Sequence, residues 1–121
     1  MKIVITSTCK SLDSQVDQRF GRAAFFIISD TETMDFAVIE NKNASAGGVG
    51  ISSAKVVIDA GAEAVLTGNC GPNAQRTLSA AGVKLYTGAA GTVAEAIKLF
   101  KDGKLSEAAD PNVQLHFGMD K

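Results

Sequence analysis

Two cysteines, Cys9 and Cys70, are the softest potential metal ligands in this chain. Thiolates of this kind suit Cu(I) and iron. Their spacing forms no CxxC, so neither a zinc ribbon nor a thioredoxin-type dithiol is available. Arg19 and Arg22, with Lys10 close by in sequence, place cations in the segment after Cys9. Glycine-rich stretches at 47–50, 68–71 and 88–91 each precede a predicted helix. A helix start offers free N–H groups and a partial positive charge, and glycine lets the backbone approach a ligand closely. Together these residues describe anion binding beside soft sulfur. Each also has a plainer reading. Free cysteines pack as small hydrophobes, glycine loops make turns, and Arg22 serves equally as a surface cation or a partner for Asp17. Gly47-Gly48-Val49-Gly50 matches neither the dinucleotide fingerprint nor the P-loop.

Other chemistry is excluded by inventory. His116 is the one histidine and stands near the end of the chain, so a Ser-His-Asp or Cys-His site would need that tail folded into a crevice. There is no HExxH zinc motif. Twelve Lys and Arg against thirteen Asp and Glu leave a formal charge of −1, which gives no global pull toward nucleic acid or membrane surfaces. Trp is absent and Tyr occurs once, so no stacking platform for bases is indicated. No apolar run approaches the roughly 20 residues of a membrane span. The start, Met1-Lys2-Ile3-Val4-Ile5-Thr6-Ser7, turns polar too soon for a signal peptide. A cytoplasmic address is expected, with both cysteines as free thiols.

The elements that must position these residues are legible from periodicity. With 121 residues, 45% hydrophobic and 21% charged, the chain fits one globular domain. Ile3–Thr6, Ala23–Ser29 and Phe36–Glu40 read as strands, the last two joined by the polar hairpin link 30–35. Ile51, Ala54, Val57 and Ile58 repeat on one helical face up to Gly61. Ala64–Thr67 is a fourth strand, and Pro72 opens a second helix bearing Ala74, Leu78 and Ala81. Val83–Tyr86 is a fifth strand. Thr92-Val93-Ala94-Glu95 is a capping-box pattern at the start of a third helix, which shows Val93, Ala96, Ile97 and Phe100 and stops at Gly103. Residues 1–106 form the predicted domain, and 107–121, broken by Pro111, a loosely attached tail.

The order βββαβαβα with right-handed crossovers gives a five-stranded mixed sheet, 3-2-1-4-5, with strand 2 antiparallel to the rest and helices on both faces. Cys9 then lies just past the end of strand 1 and Cys70 just past the end of strand 4. Both fall at the sheet edge where open α/β sheets keep their ligand crevices. The central strands, Ile3–Thr6 and Ala64–Thr67, offer no carboxylates for a two-metal nuclease.

Four segments in this order resemble one family: Phe20-Gly21-Arg22-Ala23, Gly47-Gly48, Gly71-Pro72-Asn73-Ala74, and Gly91-Thr92-Val93-Ala94-Glu95-Ala96. It is the dinitrogenase iron–molybdenum cofactor biosynthesis family, NifX-like and similar to the C-terminal part of NifB. The resemblance covers about residues 1–106. It implies a ribonuclease-H-like fold, and carriage of an anionic metal–sulfur cluster rather than catalysis. The cargo it implies is an iron–molybdenum cofactor precursor or, in small members of the orange-protein type, a molybdenum–copper sulfide cluster. Protein partners that donate or receive the cluster are implied too. Mapped onto this chain, the motifs nominate Arg19, Arg22, Gly47, Gly48, Gly71, Asn73, Gly91 and Thr92 for the cofactor, with Cys9 and Cys70 as candidate metal ligands. Some members carry a histidine just before Phe-Gly. Arg19 stands there instead and favours electrostatic capture, while thiolate ligation stays open. The readings that compete with a carrier are a small thiol-dependent or phosphometabolite-binding enzyme, and a regulatory interaction domain with a vestigial crevice.

Overall fold

The computed structural model describes residues 1–33, 35–41 and 49–108. The elements in chain order are β1 (Lys2–Ser7), β2 (Phe25–Asp30), β3 (Phe36–Glu40), α1 (Val49–Asp59), β4 (Ala64–Leu66), α2 (Pro72–Ala80), β5 (Lys84–Thr87), α3 (Val93–Lys101) and β6 (Ser106–Glu107). They form a single-domain α/β structure around one mixed sheet of order β3-β2-β1-β4-β5-β6.

β1 pairs antiparallel with β2 and parallel with β4, and β4 pairs parallel with β5. This is the expected core order with one correction: the sheet has six strands, not five. After α3 the chain reverses at Gly103, whose φ of 73° suits a residue without a Cβ. It then lays Ser106 and Glu107 antiparallel against Thr87 and Tyr86. Ala108 adds a backbone hydrogen bond to the Leu85 carbonyl at 2.7 Å. Two exposed polar residues carry no alternation for a sequence reading to detect. The sheet thereby crosses the expected boundary at residue 106. Residues 109–121, including His116, lie outside the described residues, as do Gly47 and Gly48.

Helices cover both faces, which explains why β1 is buried from Ile3 through Ser7. Val4, Phe26, Val65 and Leu85 point to one side, where Ala54 and Val57 of α1 and Ala74 and Leu78 of α2 cover them. Ile3, Ile5, Ile27, Ala64 and Leu66 point to the other, beneath Val93, Ala96 and Ile97 of α3. The period of two along the strands meets the 3.6-residue period along the helices in two apolar layers. Among the described residues, no helix is long and apolar enough to cross a membrane.

Candidate functional site

The long connection from β1 to β2 is stapled across the carboxyl ends of the central strands. Val16 N–H donates to the Gly91 carbonyl at 2.9 Å, and Asp17 N–H to the Thr6 carbonyl at 2.9 Å. The buried Thr6 hydroxyl donates back to the Asp17 carbonyl at 2.7 Å and lies 2.8 Å from the Thr67 hydroxyl. Asn69 N–H donates to the Gln18 carbonyl at 2.7 Å, and Phe20 N–H to the Asn69 carbonyl at 3.0 Å. Gln18 Nε2 reaches the Ala89 carbonyl at 3.1 Å. The segment passes so close to Gly68 that a Cβ there would lie 2.8 Å from Gln18 Cα. Glycine at 68 is therefore required by close packing rather than by a ligand.

The staple ends at Phe20, which is buried with its ring centroid 5.7 Å from that of Phe26. Ala23 is also buried. Gly21 and Arg22 make the turn between these two anchors. Beside that turn opens a cleft of about 490 Å³, lined by Arg19, Arg22, Asn69, Cys70, Gly71 and Ala74 together with Phe20 and Gly21. Arg19 is held near its base, its Nε 3.7 Å from an Asp17 carboxylate oxygen that also accepts from the Arg19 N–H at 3.1 Å.

The start of α2 faces this cleft. Gly71 is its N-cap, no side chain caps it, and Pro72 opens the first turn. Proline has no N–H, so Asn73 and Ala74 carry the first backbone donors of the helix. The Asn73 side chain is engaged along the helix, accepting from Arg76 at 3.1 Å. Cys70 sits immediately before the cap, half-buried, its Sγ 3.6 Å from the Gly71 carbonyl. Burial pushes its thiol from the ordinary 9.0 up to about 11, so it is protonated at neutral pH.

The other nominated residues that the structure describes are placed elsewhere. β1 and β4 are parallel neighbours as expected, but of the two cysteines only Cys70 lines the cleft. Residues 8–15 fold toward α3 instead: Val93 N–H donates to the Ser14 carbonyl at 2.8 Å and Ala94 N–H to the Leu12 carbonyl at 2.9 Å. Cys9 is exposed on that loop, its carbonyl and N–H both held by the Ser7 hydroxyl. Lys10 lies over the Phe25 ring, 5.5 Å from its centroid. Thr92 forms the predicted capping box: its hydroxyl accepts from Glu95 N–H at 3.1 Å and its own N–H donates to the Glu95 carboxylate at 2.8 Å. The first four N–H groups at the start of α3 are thus occupied, and a carboxylate already sits on its positive end. Gly91 belongs to this cap and to a separate cleft of about 420 Å³ beside Glu95 and Lys98.

Phe20, Gly21, Asn69 and Ala74 line the cleft without being among the nominated residues. Asn69 was detectable as the neighbour of Cys70 in a glycine loop, whereas Ala74 reads as a core residue of α2. Among the described residues, no group of three or more His, Cys, Asp or Glu could hold a metal ion. The donor set fits a preassembled anion, gripped by cations and N–H groups with at most one thiol, rather than a bare metal.

Fold and cleft together define a small α/β protein that gathers two arginines, a cysteine and an uncapped helix start around one cleft. The chain belongs to the dinitrogenase iron-molybdenum cofactor family, whose model matches residues 1–103. It is similar in structure to the apo form of the orange protein from Desulfovibrio gigas, with 39% identity and a TM-score of 0.87, over 93% of this chain and 96% of that one. A candidate NifB protein from Thermotoga is 44% identical with a TM-score of 0.78, over 88% and 91% of the two chains. An uncharacterized protein from Methanocaldococcus jannaschii is 29% identical over 112 residues, 88% of this chain and 95% of that one.

Proposed function

We propose that this protein carries an anionic metal–sulfur cluster in the cleft between the Phe20–Ala23 turn and the start of α2. The cargo is a molybdenum–copper sulfide or an iron–molybdenum cofactor precursor. The observation that carries the reading is the convergence of Arg19, Arg22, Cys70 and the uncapped N-terminus of α2 on one cleft. Helix starts favour anions, and a sulfide cluster brings its own soft ligands. Membership in a family described by the dinitrogenase cofactor supports it, as does likeness to the orange protein. The role is that of a carrier that takes its cluster from one protein and yields it to another.

A thiol-dependent enzyme is less well supported. A nucleophilic cysteine needs a thiolate, and burial holds Cys70 in the opposite state. The ribonuclease-H-like topology belongs to the same reading, with central strands that carry no carboxylate for nuclease chemistry.

Anaerobic titration of the metal-free protein with tetrathiomolybdate plus copper, and separately with ferrous iron plus sulfide, tests the reading. Visible spectra and metal content are read after gel filtration. The expected result is a stoichiometric chromophore travelling with the protein, and a colourless protein in both titrations would overturn the proposal. A Cys9→Ser/Cys70→Ser variant run alongside separates the modes of capture. Retained chromophore assigns it to charge and N–H groups, and loss by more than about tenfold assigns it to thiolate ligation.

A further inference from the structure

We infer that Asn41 and Ser53 are positioning residues for Arg22, clamping the turn that carries it beside the cleft. This rests on the cluster-carrier reading of that cleft. Asn41 immediately follows β3 and is buried. Its own N–H closes the β2–β3 ladder on the Ala24 carbonyl at 3.0 Å, which fixes where its side chain starts. Its Nδ2 donates to the Gly21 carbonyl at 3.2 Å and the Ala23 carbonyl at 2.9 Å. One buried amide thus holds the carbonyls on both sides of Arg22.

Ser53, fully buried on α1, completes the clamp. Its hydroxyl donates to the Gly21 carbonyl at 3.1 Å and accepts from Asn41 Nδ2 at 3.3 Å. A single serine therefore ties the turn to both α1 and the end of β3. Between the buried anchors Phe20 and Ala23, Gly21 and Arg22 have no regular secondary structure to hold them. The clamp supplies that restraint. A guanidinium on a fixed turn loses less conformational freedom on meeting an anion than one on a loose turn.

Ser29 provides a matched control. It is a fully buried serine whose hydroxyl makes no hydrogen bond among the described residues, and it lies on β2 outside the residues lining the cleft. Ser53→Ala and Ser29→Ala each remove one buried hydroxyl, but only the first touches the turn. The readouts are affinity for tetrathiomolybdate plus copper, and amide hydrogen exchange at Arg22 and Ala23 in the metal-free protein. Ser53→Ala is expected to lose affinity on the order of threefold to tenfold, the range spanned by one intramolecular hydrogen bond. It should also speed exchange at those two amides, while Ser29→Ala matches the parent in both. Asn41→Asp, which keeps the shape but loses the donors, should reproduce the effect.

Equal affinity and equal exchange in Ser53→Ala and Ser29→Ala would overturn the positioning role. Should the parent take up no chromophore, the cluster reading falls by itself. The exchange comparison then decides the clamp: faster exchange confined to the Ser53→Ala turn sustains it, and unchanged exchange ends it.

Discussion

Cys70 and Cys9 have the same chemistry and opposite settings. Cys9 is exposed on a loop that folds toward α3, while Cys70 is half-buried at the mouth of the cleft. Desolvation disfavours the thiolate, so Cys70 keeps its proton to about pH 11 in the fold and loses it near 9.0 once exposed. The sign of the linkage follows. Between those values the unfolded chain binds fewer protons than the native one, so stability falls as pH rises across that window. Cys70→Ser removes the titrating group. Urea unfolding at a series of pH values should show the parent losing stability between about pH 9 and 11 relative to the variant, with parallel behaviour below that window. Identical curves for the two proteins would show that the thiol is not desolvated. The position of Cys70 beyond a strand end was legible from topology alone. Its burial was not, because it comes from packing against an apolar cluster whose members Val4, Phe20 and Phe26 are far from it in sequence.

Elements show why two nominated helix starts have different fates. α2 and α3 both follow glycine loops and both begin at the same sheet edge. Their sequences differ at the N-cap, Thr92 against Gly71, and at the third helical position, where α3 has Glu95 and α2 has Ala74. Thr92 and Glu95 close a capping box that occupies the positive end of α3, whereas Gly71 leaves α2 uncapped. The capping box was plain in the sequence, and its consequence follows from elementary electrostatics: a helix end that holds its own carboxylate is a poor anion site. Thr92→Ala should therefore cost about 1 kcal/mol of stability in chemical denaturation and leave tetrathiomolybdate–copper affinity unchanged. A loss of affinity with no loss of stability would return Thr92 to the binding site. The core strand order was equally legible, since four of the strands carry continuous apolar runs or a β-branched majority. β6 was not, because two exposed residues pair only after Gly103 has turned the chain back. Nor was the Asn41–Ser53 clamp, whose partners lie 12 to 32 residues apart in sequence.

For the molecule as a whole, the formal charge of −1 means that an anionic cargo gains nothing from long-range attraction. Any electrostatic capture must come from the local field of Arg19 and Arg22 beside the start of α2. The family match through residue 103 spans every element that builds this cleft. Salt distinguishes a local field from simple packing. Screening shortens from roughly 10 Å at 0.1 M to about 3 Å at 1 M, so a cluster held at a partly exposed cleft should bind more weakly as salt rises. Arg22→Ala removes one of the two cations, and should both weaken binding and flatten the dependence of affinity on salt. Titration of parent and variant with tetrathiomolybdate plus copper at several salt concentrations measures both slopes. Parallel slopes would mean that Arg22 acts through shape and hydrogen bonds, leaving the helix start and Arg19 as the source of the field. A flatter slope in the variant would locate the attraction at the turn that Asn41 and Ser53 hold in place.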